Sequence, residues 1–220
     1  MPAAITLDAV TEALAPRLPI YRWRRPVYQA TMLRDLQRVW RGPHARVLDV
    51  GGGTGVIAQA VKDLFGVAEL VSIDVEDRFL PDLTVETRTF DGVALPYPDG
   101  AFEAVMFNNV IHHAPPAARP ALMAECRRVA GDGPIYIKDH LAVSGLDHRR
   151  LGVLDWLGNT PFKGMIAADY LEDAEWRALA SAAGSRIAET LKASPYRRGP
   201  MAAAFPNRLE ITMRWEKGAA

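Results

Sequence analysis

Apolar residues recur along the chain with two different periods, and the change of period divides it. Within "ITLDAVTEALAPRL", Ile5, Leu7, Val10 and Leu14 recur at helical spacing until Pro16 and Pro19 stop the pattern. A second helix is predicted over "VYQATMLRDLQRVW", ending at Gly42-Pro43. From Ala45 onward, short apolar runs alternate with helical segments. "ARVLDV", "ELVSID", "LTVETRTF", "FEAVMFNN" and "GPIYIKDH" have the length and apolar content of strands, while "TGVIAQAVKDLF" and "ARPALMAECRRVA" carry the helical period between them. Nearly continuous apolar strands joined by crossover helices predict a parallel sheet covered on both faces. The end of the chain differs. "SRIAETLKAS" and "NRLEITMRWE" are strands joined by a loop containing Pro and Gly, compatible with an antiparallel pair.

The connection after "ELVSID" is anomalous. Only "VEDRFLPD" separates Asp74 from Leu83, too short for a crossover helix. Either the crossover is an irregular loop or the third strand starts beyond Leu83. With no repeat, low-complexity tract or linker, residues 1–220 are expected to form one domain: helices over 1–42 that close as a lid, then an α/β core over 45–220 with a substrate insert around 141–168.

Charge removes one class of partner. Lys plus Arg equals Asp plus Glu at 26 each, which argues against binding nucleic acid through a broad basic surface. Cys126 is the only cysteine and falls in an apolar helical stretch, the setting of an inert buried thiol. Asp8 and Glu12 interrupt any signal-peptide core, and no apolar run reaches membrane-spanning length, so a cytoplasmic location is expected.

The chemistry concentrates in "LDVGGGTG", Leu48 to Gly55. A strand-to-helix turn offers free N–H groups, and Gly51, Gly53 and Gly55 would let a ligand approach bare backbone. The lysine of a nucleotide-triphosphate loop is missing, and Val56 stands where a dinucleotide fingerprint requires glycine. An anionic pyrophosphate would gain nothing from Asp49, whereas a ligand with a cationic amino-acid end would.

"LDVGGGTG", "LVSID" and "FDGVALPYPDGAFEAVMFNNVIHHA", in that order, resemble the motifs of class I S-adenosylmethionine-dependent methyltransferases, in particular the small-molecule, ubiquinone-biosynthesis-like or type-11 group. The likeness runs from about Arg46 to Asp139, departing at Glu103, where the family has Asp, and in the short loop after Asp74. It implies a Rossmann-like seven-stranded, mostly parallel sheet with helices on both faces, an antiparallel C-terminal strand and N-terminal helices. It also implies S-adenosyl-L-methionine as cofactor, held by Asp49, Gly51, Gly52, Gly53, Gly55, Asp74, Val75, Asp91, Gly92 and Asn108. Within that set, Asp74 would meet the ribose hydroxyls and Asp91 the adenine amino group.

Methyl transfer from a sulfonium needs alignment and exclusion of water, with a base only where the acceptor must lose a proton. Candidate catalytic groups follow the fourth and fifth strands: His113, Asp139 and His140, with His140 the foremost base. No metal is expected, because adjacent His-His and Asp-His side chains diverge. Tyr28, His112, Trp156 and Lys163 are candidate substrate contacts, for a small organic or lipid-like acceptor. Two other readings remain open: a nicotinamide oxidoreductase, disfavoured by Val56 and Asp49, and a cofactor-binding partner subunit without turnover.

Overall fold

The structure is a computed structural model that describes residues 4–160, 165 and 167–218, without the side chains of residues 158 and 159. Its centre is a seven-stranded sheet of β1 (Arg46–Val50), β2 (Glu69–Asp74), β3 (Glu86–Thr89), β4 (Ala104–Asn108), β5 (Ile135–His140), β6 (Ser185–Lys192) and β7 (Glu210–Lys217), in the order β3-β2-β1-β4-β5-β7-β6. Pairs from β3 through β5 are parallel, while β7 runs antiparallel to both β5 and β6. The strand order reverses between β1 and β4, and in such sheets ligands bind beyond the carboxyl ends of the strands at that switch point.

Alternation along each strand feeds two cores. Leu48, Val50, Val105, Phe107, Ile135 and Ile137 face α4 (Arg119–Ala130) and α6 (Asp173–Ala182), which contribute Met123, Cys126 and Trp176. Val47, Leu70, Met106 and Tyr136 face the other way, onto α1 (Leu7–Leu14), α2 (Val27–Val39) and α3 (Val56–Phe65). Both cores exclude water from apolar strand faces, the main stabilising term of such a layered fold. Cys126 is fully buried in the first of them.

Thr6 caps α1 by accepting from Ala9 N–H at 3.1 Å, and α1 packs on α3. That docking brings the N-terminal segment over the carboxyl ends of β1 and β2. The anomalous connection resolves in both senses: β3 begins only at Glu86, and residues 75–85 form an irregular loop. α5 (Gly145–Asn159), capped by Ser144, occupies the segment expected to be a substrate insert, and buries Leu151 against Ala142, Tyr170 and Leu209. α6 and a short α7 (Gly199–Ala204) were not anticipated from the sequence, although α6 turns Trp176, Leu179 and Ala180 inward at helical spacing; α7 has no buried residue to mark a face. Among the described residues, no helix is long and apolar enough to cross a membrane.

Candidate active site

The carboxyl ends of β1, β2 and β4 converge on a cavity of about 490 Å³, a volume suited to a small organic ligand. Its wall includes Gly51, Gly52, Gly53 and Thr54 from the turn after β1, Asp74 and Val75 from the end of β2, and Asn108, Asn109 and Val110 after β4.

The glycines of the turn answer different demands. Gly51 and Gly52 N–H both donate to the Ile73 carbonyl, at 2.7 and 3.0 Å, pinning the turn to β2. A Cβ on Gly52 would stand 1.8 Å from Ser72 Oγ, one on Gly51 2.5 Å from the Val110 methyls, and one on Gly55 2.6 Å from Leu83. These three are glycine because the protein itself crowds them. At Gly53, with φ +57°, a Cβ would meet no protein atom within 4 Å. Gly53 is therefore the position where bare backbone borders the cavity, the cradle a bound ligand requires. The sequence alone made these glycines look alike.

Asp74 is buried and lines the cavity. Its Oδ2 accepts Gly53 N–H at 2.7 Å and its Oδ1 accepts Glu76 N–H at 3.1 Å, while Arg78 lies 3.6 Å away. Asp49 lies behind the turn, off the described cavity wall and only 2% exposed, accepting Ser72 O–H at 2.7 Å. Burial pushes its carboxyl up to about 7; the Ser72 hydrogen bond opposes this and the nearby Asp74 charge adds to it. Phe90 and Gly92 line the cavity, but Asp91 between them is exposed and lines a separate shallow hollow. Its Oδ1 accepts the N–H groups of Val93 and Ala94, which hold it below the usual carboxylate range.

The segment before β1 covers part of the opening: Leu14, Leu18, Tyr21 and Gln29 line the same cavity. Tyr28 does not line it. Its hydroxyl accepts from Asn109 Nδ2 at 2.8 Å and from Lys138 Nζ at 2.7 Å, and Lys138 also donates to Asn109 Oδ1 at 2.6 Å. Lys138 pairs with Glu210 at 2.9 Å, and Glu210 also takes Tyr196 and Arg197. Burial opposes both charges, but each stabilises the other, so Lys138 is raised and Glu210 falls to about 2. The network holds Asn109 at the cavity wall in a left-handed conformation with φ 58°. Sequence reasoning placed Asn109 near the site but missed Lys138 and Glu210, which meet only through the pairing of β5 with β7.

Three of the histidines gather near the ends of β4 and β5. His113 lines the cavity, half-buried, with Nδ1 2.9 Å from the Ala167 carbonyl. His112 is buried behind it and bonds Asp139 through Nδ1, with Nε2 3.3 Å from Asp155 Oδ2. Although burial disfavours its charge, the two carboxylates outweigh that and raise His112 to about 9. Asp139 falls to about 2, because His112 more than offsets the cost of its burial. His140, expected to face the substrate, is instead 6% exposed and directed into this cluster, 3.7 Å from Asp155; burial lowers its pKa. The backbone explains the difference: β5 pairs with β7 through His140, so that residue is sealed inside the sheet. Trp156, expected at the substrate, is 57% exposed on α5 and off the described cavity wall, and Lys163 lies outside the described residues.

Comparison with known proteins gives this geometry a context. Residues 48–137 match the model of a family described as a methyltransferase domain. No curated protein matches the chain. Solved structures similar in fold include a chain of the complex between the Haloferax volcanii Trm112 methyltransferase activator and a methyltransferase, at 14% identity and TM-score 0.70, covering 97% of this chain and 98% of that one. An S-adenosylmethionine-dependent methyltransferase from Mesorhizobium loti aligns at 12% identity and TM-score 0.63 over 87% of this chain and 100% of its own. Another from Aquifex aeolicus aligns at 16% identity and TM-score 0.54, over 78% and 81%. The family match over residues 48–137 and the shared fold support a class I S-adenosylmethionine-dependent methyltransferase of the type-11 group, with S-adenosylmethionine as the cofactor such a domain takes.

Proposed function

We propose that this methyltransferase acts on a small, largely apolar acceptor bound in the same cavity as its cofactor. One observation carries the reading: the cavity that touches Gly53 and Asp74 also touches His113, Ala114, Pro115, Leu122 and Met165. The cofactor supplies a methyl group made electrophilic by a positively charged sulfur. The residues present fit it. Gly53 leaves room against the backbone, Asp74 offers a carboxylate for the ribose hydroxyls, and Asn108, Val75 and Gly92 complete the wall. Asp49 contributes negative charge from behind the turn, a field that favours a ligand's ammonium. Asp91 enters this reading only through a rearrangement of its turn, since it is off the described wall of the main cavity and its carboxylate accepts from Val93 and Ala94.

The chain's own contribution is positioning and dryness. Leu14, Leu18 and Tyr21 roof the cavity as a lid over both ligands, which keeps water from the reacting atoms. Of the three candidate catalytic residues, His113 presents its imidazole to the acceptor space. Asp139 and His140 lie behind it and act through His112, as positioning residues. The apolar surround of Leu122, Val110, Phe90 and Met165 suits an organic ring or aliphatic chain with one polar end.

Isotope-labelled methyl transfer from S-adenosylmethionine to a panel of small phenols, amines, thiols and acidic-carbon compounds tests the reading. Label in an acceptor, with micromolar inhibition by S-adenosylhomocysteine, supports it. Saturable cofactor binding with no transfer across the panel favours the role of cofactor-binding partner subunit, and binding of a nicotinamide dinucleotide instead would overturn it.

A further inference from the structure

The geometry points to a site for one divalent transition-metal ion, held by His112, His113 and Asp155 beside the acceptor space. A ligand-capable atom from each of the three lies within 4.8 Å of the others, His112 and Asp155 are buried, and His113 reaches the cavity wall. The inference stands on this cluster and not on the methyl-transfer reading.

The hydrogen bonds around the cluster orient it for a cation. A carbonyl oxygen only accepts, so the His113 Nδ1 facing Ala167 at 2.9 Å carries the proton and Nε2 keeps its lone pair. Asp139 in turn accepts from His112 Nδ1, which directs His112 Nε2 toward Asp155 Oδ2 at 3.3 Å. That nitrogen, on a side chain 1% exposed, faces Asp155 outside good hydrogen-bond geometry, so an ion bound there displaces the proton it holds toward that carboxylate. A carboxylate or carbonyl behind each imidazole is the outer-shell pattern that fixes ring orientation in metal sites. Asp155 is braced likewise, accepting Tyr170 O–H on Oδ2 at 2.5 Å.

Sequence adjacency of His112 and His113 argues against shared ligation where neighbouring side chains diverge. Here they occupy a single 3-10 turn, and their rings lie 4.0 Å apart by centroid. Tetrahedral ligands at ordinary Zn–N and Zn–O lengths are separated by roughly 3.3 Å, so the cluster, whose atoms lie within 4.8 Å of one another, needs a contraction of up to about 1.5 Å. Two imidazoles and one carboxylate suit Zn(II), Mn(II), Fe(II) or Co(II) better than Mg(II) or Ca(II), and leave coordination positions for an acceptor oxygen or nitrogen.

Tag-free protein, treated with chelator and dialysed, should bind one Zn(II) or Co(II) per chain in calorimetry, and Co(II) should develop visible absorption bands. His113→Asn and Asp155→Asn should each weaken binding at least about tenfold, and Asp139→Asn, acting through His112, by about ten- to a hundredfold. His113 is half-buried, so its variant keeps the test usable if the buried ones misfold, as circular dichroism would reveal. No saturable binding, or binding that all folded variants retain, overturns the proposal and leaves the cluster a buried ion-pair network. S-adenosylhomocysteine affinity of the chelator-treated protein is measured in parallel. Its loss would count against the cofactor reading and leave the metal result intact.

Discussion

Replacing Asp49 by Asn separates what the fold prefers from what the ligand requires. In the free protein, burial raises the Asp49 carboxyl from its ordinary 3.8 to about 7. The unfolded chain therefore ionises this group at lower pH than the folded one. Its contribution to stability is complete below about pH 4, declines as pH rises toward 7, and is lost above that. A shift of about three pK units corresponds to about 4 kcal/mol of destabilisation at pH 8, an upper value because the turn can relax. Asn keeps the shape and can still accept the Ser72 hydroxyl, so the variant should be more stable by about 2–4 kcal/mol at pH 8 and little changed at pH 4. For a chain of this size that amounts to roughly 10 °C in Tm. The same substitution removes the negative charge beside the glycine turn and should weaken S-adenosylhomocysteine by roughly ten- to a hundredfold. Thermal scans from pH 4 to 8, paired with calorimetry at pH 8, read both effects. Parallel stability curves for wild type and variant across that range would refute the burial argument. Unchanged affinity would remove Asp49 from the cofactor site.

Gly53→Val should leave Tm within several degrees of wild type, since its left-handed backbone costs about 1–2 kcal/mol, yet reduce S-adenosylhomocysteine affinity at least about tenfold. Calorimetry on the folded variant decides it. Asp74→Ala should cost about 1–3 kcal/mol of cofactor affinity through lost charge-assisted hydrogen bonds, and it also frees Gly53 N–H in the unliganded turn; wild-type affinity would place the ribose elsewhere. Glu210→Gln should destabilise the chain by about 3–5 kcal/mol in denaturant titration, because Lys138 stays buried with its counter-charge gone. The Glu210 carboxyl is lowered from 4.5 to about 2, so its wild-type contribution is present above pH 4.5 and lost as pH falls toward 2.

Local pattern determined much of this protein. The apolar runs from Val47 to Ile137 need two covered faces, and the helical stretches between them supply the cover, so the parallel α/β sheet was legible from period alone. "LDVGGGTG" and the acid ending β2 marked the sheet edge that borders the cavity, because a turn without side chains and a carboxylate at a strand end are local features. Tertiary structure alone decided which groups share a surface. His113 and His140 look equivalent as histidines near strand ends, yet pairing of β5 with β7 seals His140 inside while the 3-10 turn after β4 carries His113 to the cavity. Asp155 and Tyr170 join His112 only because α5 packs at the end of β5, and Lys138 meets Glu210 only across an antiparallel ladder. Such contacts join residues far apart in the chain, and their burial and charge arise from packing, which no local period encodes.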